Sequence, residues 1–381
     1  MNDKNHRHLS TGGDANHSSP TRYSLKQDYL LWTLVAALIV FSVLEPRKIL
    51  HYPGLVNWPT IGTLLGLMIL TKGVEQSGWL HRAGRNVIAR VSNQRQLALF
   101  LVCGSALLAM LLTNDIALFV AVPLTLSLAE FADLPLRRLV IFEALAVNAG
   151  AMLTPIGNPQ NIFLWRLAGV HFGQFVWHML PPFIIAMACL LLLTAWAFPA
   201  AAIHVEHRGP AQTVQRPLLL TSALLYIPFL VLADLQLTAA ALILVVATFL
   251  IGFPRLLRRI DWPLLVVFVL MFIDLGRLAE YPVLAHVNLA ERGPLYLAGA
   301  LSSQVISNVP AAILLSHYSH DWGTIAWAVD VGGFGLFIAS LANLIALRLG
   351  RQRGMLLAFH AWALPFFLVV GALVWLWLNF H

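Results

Sequence analysis

The stretch Leu153-Thr154-Pro155-Ile156-Gly157-Asn158-Pro159-Gln160-Asn161 interrupts an apolar run that extends from residue 139 to residue 165. A continuous helix does not readily accommodate two prolines and a glycine in succession, because each proline removes a backbone donor and crowds the preceding turn. The run is therefore predicted to be a broken membrane helix. Unwinding leaves carbonyl groups that can coordinate a cation, and the next half-helix offers N–H groups to an anion. A proline kink in a packing helix is the alternative.

The composition indicates a membrane protein. Of the 381 residues, 59% are apolar and 11% are charged, against roughly 45–50% and 25% in an ordinary soluble domain. These values exclude a soluble enzyme, and runs of about 17–25 apolar residues predict helices that cross a bilayer. The net charge of +7 comes from basic residues in short loops, which is typical of topology signals and not of a nucleic-acid-binding patch. Cys103 and Cys189 lie in apolar runs, so neither a disulfide nor a cysteine metal site is predicted.

Two further apolar runs are broken by polar residues. The run at 96–128 contains Thr113-Asn114-Asp115, and the run at 294–316 contains Ser302-Ser303-Gln304 and Ser307-Asn308-Val309-Pro310. Because polar residues are costly in lipid, each run is predicted to fold as a re-entrant hairpin of two half-helices. Most loop Lys and Arg residues then fall on one side, which gives nine crossings, a cytoplasmic N-terminus and an external C-terminus.

Comparison of the chain with itself predicts an inverted repeat. Three matches keep their order, with offsets of 203, 194 and 182 residues: Met68–Gly73 with Met271–Gly276, Thr113-Asn114 with Ser307-Asn308, and Asn148–Ile162 with Asp330–Leu344. We therefore predict an all-α polytopic membrane protein, an inverted repeat with two re-entrant hairpins and two broken transmembrane helices. Its parts are a disordered cytoplasmic tail at 1–28, a first repeat at 29–199, a linker and connecting helix at 200–237, and a second repeat at 238–381.

These motifs resemble those of the ion transporter superfamily, which includes arsenite/antimonite permeases, NhaD-type sodium/proton antiporters and divalent anion:sodium symporters. Thr113 to Leu118 followed by Thr154 to Asn161 is similar to the first-half signature, and Ser307 to Ala311 is similar to the second-hairpin signature. The likeness covers nearly the whole chain after residue 28. It implies a dimeric secondary transporter with a scaffold domain and a moving transport domain.

The resemblance also implies that hairpin tips and broken-helix loops together bind the substrate and the coupling ion. The residues at the matching positions are Thr113, Asn114, Thr154, Gly157, Asn158 and Asn161 in the first half, and Ser307, Asn308 and Asn343 in the second. The chain departs from the family between Gly332 and Ser340, where Phe334, Leu336 and Phe337 replace a polar break. The resemblance therefore does not support a second cation site there.

Carboxylates within membrane helices are further candidates, since an acid in lipid is functional by default. Asp115 lies at the first hairpin tip, and Asp330 begins the second break opposite Asn148 in the repeat. Both are assigned an ion or proton role, with capping of a half-helix N-terminus as the alternative. For Asp274 the alternative to such a role is an intrahelical ion pair with Arg277.

The sequence thus predicts a secondary active transporter of the cytoplasmic (inner) membrane, and not an enzyme. Its substrate is expected to be a small anion, an inorganic oxyanion or a carboxylate, coupled to protons or sodium. An arsenite efflux permease and a sodium/proton antiporter are alternatives within this class, and a passive anion channel is the alternative outside it. The expected partners are the substrate, the bilayer and a second copy of the chain, with no nucleic acid, bound metal or cofactor other than a coupling sodium ion.

Overall fold

The computed structural model describes residues 29–79, 82, 91–129, 134–202, 213–281, 288–350 and 354–380. Helices make up most of these ranges, which confirms the prediction of an all-α polytopic membrane protein. The tail predicted at 1–28 lies outside the described residues.

The helices follow the order that the repeat predicts. The first repeat contains α1 (Tyr29–Leu44), a 3-10 helix (Pro46–His51), α2 (Tyr52–Leu55), α3 (Trp58–Gln76), α4 (Gln94–Leu111), α5 (Asn114–Ala129), α6 (Leu136–Ala151), α7 (Pro159–Ala168) and α8 (Phe172–Ala197). The connecting helix is α9 (Arg216–Asp234). The second repeat contains α10 (Thr238–Gly252), α11 (Pro254–Leu257), α12 (Trp262–Ala279), α13 (Arg292–Ile306), α14 (Asn308–Ser316), α15 (Trp322–Gly332), α16 (Leu341–Gly350) and α17 (Met355–Phe380).

Length and composition identify the helices that can cross a membrane. Within the described residues, α4, α8, α9, α12 and α17 each qualify alone, and Pro46–Leu55 together with α3 forms a sixth candidate, bent by 55°. The apolar helices α1 and α10 are shorter, and the pairs α6–α7 and α15–α16 are interrupted. Each predicted crossing therefore has a helix or a broken helix at its place.

Both polar interruptions produce helical hairpins, and only one of the two polar stretches in the second run interrupts the helix. Arms α4 and α5 pack together around Leu112-Thr113, and arms α13 and α14 pack together around Ser307. The residues Ser302 to Gln304 stay within α13, because the hydroxyls of Ser302 and Ser303 donate to the carbonyl of Gly299. The chain turns at Ser307 alone, where φ is 74°.

Helices α3 and α12, which occupy equivalent places in the two repeats, begin with the same capping arrangement. Asn57 accepts from the N–H of Thr60 at the start of α3, and Asp261 accepts from that of Leu264 at the start of α12. The indoles of Trp58 and Trp262, which follow the caps, both donate to a carbonyl five residues upstream. The two indoles lie 262 − 58 = 204 positions apart, so the offset of 203 that the sequence predicts for this helix is one residue too small at its start.

The repeats interlock through their first two helices, and α9 packs beside them. Helix α1 packs against α12, and α10 packs against α3 in the reciprocal way. Helix α3 approaches α9 closely, since a Cβ added at Gly66 would lie 2.2 Å from the Phe229 ring, and one added at Gly73 would lie 2.1 Å from the Ser222 hydroxyl. A larger residue at either glycine would therefore have to displace the side chain of Phe229 or of Ser222.

Helix α9 also holds the first repeat by polar contacts. The Tyr226 hydroxyl donates to the carbonyl of Leu111, at the end of the first arm of the first hairpin. At the other end of α9, the Asp234 carboxylate accepts from the N–H of Phe172 at 2.5 Å, and buried Arg166 donates to the carbonyl of Ala233. These three hydrogen bonds are called the α9 ties below.

A network of ion pairs joins the ends of α1 and α12. Arg277 pairs with Glu45 at 3.0 Å and with Glu280, and Lys48 pairs with both glutamates. Hydrogen bonding from Lys48 holds the pKa of Glu45 and of Glu280, which lie beyond the helix ends, below the ordinary value. The ion pair between Asp274 and Arg277 is absent among the described residues: Arg277 turns to the glutamates, and both carboxyl oxygens of Asp274 are buried without a hydrogen-bond partner.

Candidate functional site

The two broken helices fold their loops in the same way. In the first break, the Nδ2 of Asn161 faces the carbonyls of Ala151, Met152 and Thr154 at 3.4, 3.3 and 3.5 Å. In the second, the Nδ2 of Asn343 donates to the carbonyls of Gly333 and Leu336 at 2.9 and 3.2 Å. Ala151 corresponds to Gly333 and Thr154 to Leu336 at the offset of 182 positions that separates Asn161 from Asn343. The carbonyls freed by unwinding are thus gathered around one asparagine in each repeat.

Each hairpin tip is fastened to the break of its own repeat. The N–H of Asn114 donates to the carbonyl of Gly157 at 2.8 Å, and the N–H of Asn308 donates to that of Ala339 at 2.9 Å. Within the first break the chain also packs closely on itself, because a Cβ added at Gly157 would lie 2.2 Å from the carbonyl oxygen of Ala151. Tip and break therefore form one unit in each half.

Both repeats also have a second contact between the first arm of the hairpin and the break. Its polar side chain belongs to the break in the first repeat and to the arm in the second. The Thr154 hydroxyl of the first break donates to the Met110 carbonyl of α4 at 2.8 Å. In the second repeat the equivalent residues are Leu336 and Gln304, and there the N–H of Leu336 donates to the side-chain oxygen of Gln304 at 2.8 Å. Gln304 also donates to the carbonyl of Gly332 at 2.7 Å.

The repeats meet at two places, one of which contains only neutral groups. There Asn148, near the end of α6, donates from Nδ2 to the Oδ1 of Asn343 at 2.8 Å. Its own Oδ1 accepts from the Ser340 hydroxyl at 3.0 Å. All three side chains are buried. We call this set the neutral crossing; each of its polar atoms in these contacts has a partner.

The other meeting place contains a carboxyl group and is called the acidic crossing. Asp330, near the end of α15, accepts at Oδ1 from the Nδ2 of Asn158 and from the Nε2 of Gln160, both at 2.9 Å. Asn161 also lies within hydrogen-bonding reach of this carboxyl. All four side chains are at least 97% buried. The Oδ2 of Asp330, the Oε1 of Gln160 and the Oδ1 of Asn161 have no hydrogen-bond partner in the described residues.

The remaining predicted residues lie at the tips. Thr113 and Asn114 are buried, and the Asn114 side chain accepts from the N–H of Asp115 at 2.9 Å. One oxygen of Asp115 is buried and unpartnered. Ser307 contacts the Ala339 carbonyl at 3.4 Å. Within the described residues no hydrogen bond joins Asn114 to Asn308; the tips flank the crossings, because α5 packs against α16 and α14 against α7.

Four polar residues of the site were not nominated from the sequence: Asn148, Gln160, Gln304 and Ser340. The repeat itself could have indicated two of them, since Asn148 is the equivalent of Asp330 and Ser340 is the equivalent of Asn158 at the offset of 182. Gln160 and Gln304 have apolar equivalents, so only the folded structure shows their contacts. The site thus offers amides, hydroxyls and one buried carboxyl, the groups that bind a small ion and release it.

The helices, hairpins and broken helices described above are those of a multi-pass membrane protein. The chain belongs to the citrate transporter family (CitMHS), whose model matches residues 29–332. It is similar to the inner membrane protein YbiR of Escherichia coli, with 43% identity over 92% of this chain and 95% of the relative. It is also similar to an uncharacterized transporter of Methanocaldococcus jannaschii, with 29% identity over 82% and 86% of the two chains. These matches confirm the resemblance to the ion transporter superfamily.

Proposed function

We propose that this protein is a secondary active transporter that moves a small anion across the cytoplasmic (inner) membrane, coupled to protons or sodium. The observation that carries the proposal is the pair of crossings, in which residues of one repeat complete the break of the other. Each crossing links groups from both halves of the chain, so that movement at one break is felt at the other. This is the arrangement that alternating access at a central site requires.

The substrate class follows from the groups at the tips and from the family. Amide and hydroxyl side chains with half-helix N-termini suit an inorganic oxyanion or a small carboxylate. The family description, citrate transporter, favours a carboxylate. An arsenite efflux permease and a sodium/proton antiporter remain alternatives within the class.

The proposed coupling ion is the proton, with at most one sodium ion per cycle. The second break offers Phe334, Leu336 and Phe337 where a cation site would need side-chain oxygens. Asp330 is buried and Asp115 has one buried carboxyl oxygen, and both groups can carry a proton. Uptake that requires sodium with a Hill coefficient clearly above one, and that ignores a pH gradient, would contradict this assignment.

Reconstitution tests carrier against channel. Purified protein in proteoliposomes should accumulate a labelled carboxylate or oxyanion uphill when a pH gradient is imposed, whereas a passive anion channel would only equilibrate it. Asn114→Ala and Asn308→Ala should each abolish accumulation while expression and the detergent-solubilised homodimer stay intact. Near-normal transport by both variants would show that the tips do not form the site.

The proposed orientation has a cytoplasmic N-terminus and an external C-terminus, and the relative named an inner membrane protein supports the location. The first hairpin then opens from the cytoplasm and the second from outside. Single cysteines at Arg255, which is exposed beside buried Leu256, and at Ser319 should react from opposite sides of the membrane in a cysteine-free background. Labelling of both from one side would overturn this topology.

A further inference from the structure

The neutral and acidic crossings are built at equivalent positions of the two repeats. Asn148 corresponds to Asp330, Asn343 to Asn161, and Ser340 to Asn158, each pair separated by 182 positions. The inverted repeat therefore provides two versions of one contact within the same molecule, one with an amide and one with a carboxyl.

The two versions correspond atom by atom. The Oδ1 of Asn148 accepts from Ser340, and the Oδ1 of Asp330 accepts from the equivalent Asn158. The Nδ2 of Asn148 then donates to the Oδ1 of Asn343. By the correspondence of the repeats, the Oδ2 of Asp330 is the equivalent of that nitrogen and the Oδ1 of Asn161 is the equivalent of the acceptor. Both of these oxygens are buried and have no hydrogen-bond partner.

The orientation of Asn161 follows from its surroundings. Its nitrogen faces three backbone carbonyls, which only accept hydrogen bonds, so its oxygen must point away from them. The nitrogen lies 3.3–3.5 Å from those carbonyls, whereas the nitrogen of Asn343 lies 2.9 and 3.2 Å from its own. The longer distances at Asn161 are consistent with a missing hydrogen bond, because its Oδ1 has no donor, whereas the Oδ1 of Asn343 accepts from the Nδ2 of Asn148.

Each of these two buried acceptors is unfavourable, because it has lost its water without gaining a hydrogen bond. A proton on the carboxyl oxygen removes this cost, since the acid group then carries an O–H donor. We propose that the acidic crossing is a binding site for one proton, held on the Oδ2 of Asp330 and donated in a hydrogen bond to the Oδ1 of Asn161. The neutral crossing is then a permanent copy of the proton-loaded state.

This inference rests on the proposed function and names the atoms of its coupling step. Loading forms the O–H bond of Asp330 from the carboxylate and a proton of water on one side of the membrane. Unloading breaks that bond, returns the proton to water on the other side and leaves the carboxylate. The loss of the O–H donor removes one hydrogen bond between the repeats and leaves those from Asn158 and Gln160, so the charge state of the crossing is coupled to the strength of this contact.

Neutral groups face the Asp330 carboxyl from α7, namely Asn158, Gln160 and Asn161. The ionisable side chains of the helices packed against α15 have other partners among the described residues, apart from exposed Arg137: Arg138 with Ala197, Glu143 with Thr125, Arg166 with Ala233, His178 between Trp322 and Trp327, Arg292 with Asp321, and His360 with Phe337. No salt bridge reaches Asp330 in the described part of the chain, so no basic side chain competes with the proton.

Infrared difference spectroscopy of the purified protein in lipid tests the bound proton without transport. The spectrum of the wild type minus that of Asp330→Asn, at neutral pH, should contain the carbonyl band of a protonated carboxyl group. Asp330→Asn should melt at or above the wild-type temperature, because the new Nδ2 donates to Asn161 as Asn148 does to Asn343. An absent band, or a variant that melts well below the wild type, would overturn the assignment.

The swapped variant Asp330→Asn with Asn148→Asp uses the repeat as its own control. Asp330→Asn alone should lose pH-driven accumulation, and the swap should restore it. The position equivalent to Gln160 is Ala342, so recovery would show that the asparagine acceptor suffices. A swapped variant that melts like the wild type but does not recover pH-driven accumulation would overturn the equivalence of the crossings.

The two levels of inference can fail separately. Suppose that the wild type gives the infrared band and Asp330→Asn is stable, but the wild type does not accumulate substrate along a pH gradient. The proposed coupling is then wrong and the proton site stands. If accumulation follows the pH gradient but the band is absent and Asp330→Asn still accumulates substrate, the coupling stands and the acidic crossing does not carry the proton.

Discussion

The two broken helices reach one backbone arrangement with different side chains. The first break contains Pro155 and Gly157, which prevent a regular helix locally. The second contains Phe334, which turns away from the break into the core, is fully buried and packs edge-on against Phe366 at 5.0 Å between ring centroids. The loops nevertheless bring equivalent carbonyls to Asn161 and Asn343. Proline is therefore not necessary for this arrangement, because the second break contains Gly333 and Gly335 and no proline.

The contact between arm and break teaches a second lesson. Its position is retained between the repeats, while the polar side chain lies on the break in the first and on the arm in the second. The position of Thr154 is occupied in the second repeat by Leu336, which has no hydroxyl. The position of Met110 is occupied there by Gln304, which supplies an amide. A search for a polar break in the second repeat fails because the polar group has moved to the hairpin.

The largest difference between the breaks is expected at Gly157. In Gly157→Ala the new Cβ would lie 2.2 Å from the carbonyl oxygen of Ala151 and 2.6 Å from its Cα. Backbone atoms cannot rotate aside, so the cost should be about 3 kcal/mol or more. The yield of monodisperse protein and its melting temperature in detergent measure this effect.

The equivalent residue Ala339 provides the matched control. Ala339→Gly removes a Cβ and should cost only about 1 kcal/mol through backbone entropy. Equal melting temperatures for Gly157→Ala and Ala339→Gly would mean that the two breaks do not differ in their tightness at this position.

A smaller effect is expected where the polar side chain has changed sides. Gln304→Met should lower the free energy of unfolding by about 1–3 kcal/mol, because it leaves the buried carbonyl of Gly332 and the N–H of Leu336 without that partner. Adding Leu336→Thr should recover part of the loss by recreating the contact of the first repeat. Thermal melting of the single and double variants measures the coupling.

The control for this pair lies in the first break. Thr154→Val removes one hydroxyl donor to Met110 and should cost about 1 kcal/mol. A double variant Gln304→Met with Leu336→Thr that is no more stable than Gln304→Met would show that the two contacts are not interchangeable.

The smallest effect is expected outside the breaks, in the ion pairs between α1 and α12. The lowered pKa values of Glu45 and Glu280 mean that their stabilisation is present above the ordinary value of 4.5 and is lost as pH falls through the lowered values. The melting temperature of Lys48→Met should therefore match the wild type most closely in acid and fall slightly behind it at neutral pH. A difference that grows in acid would contradict the sign.

The sequence predicted the local features of the fold. Prolines, glycines and polar residues inside apolar runs mark the breaks near Pro155 and Asn114, because they disrupt a membrane helix wherever they occur. Contacts between distant segments were less accessible. Gln160 and Gln304 carry no signal of their own, and Asp274 and Arg277 have the spacing of an ion pair although Arg277 is drawn to Glu45 on another helix.

The sequence indicated individual residues of the acidic crossing but not their contacts with one another. Asp330 is conspicuous as an acid in an apolar helix, and Asn158 and Asn161 lie in the first motif. That they belong to one cluster depends on a contact over 172 residues between Asn158 and Asp330. The order of the repeat matches is what makes such a contact foreseeable, because each break then faces the other.

The α9 ties have a consequence for the speed of the cycle. Any displacement of the first hairpin and of the corner between α7 and α8 relative to α9 must break the hydrogen bonds of Tyr226, Arg166 and Asp234. A neutral hydrogen bond contributes about 0.5–1.5 kcal/mol and one to a charged group about 1.5–3 kcal/mol, and each 1.4 kcal/mol of barrier slows a step about tenfold. The connecting helix, which belongs to neither repeat, is therefore expected to slow this displacement and to prolong the lifetime of the described conformation.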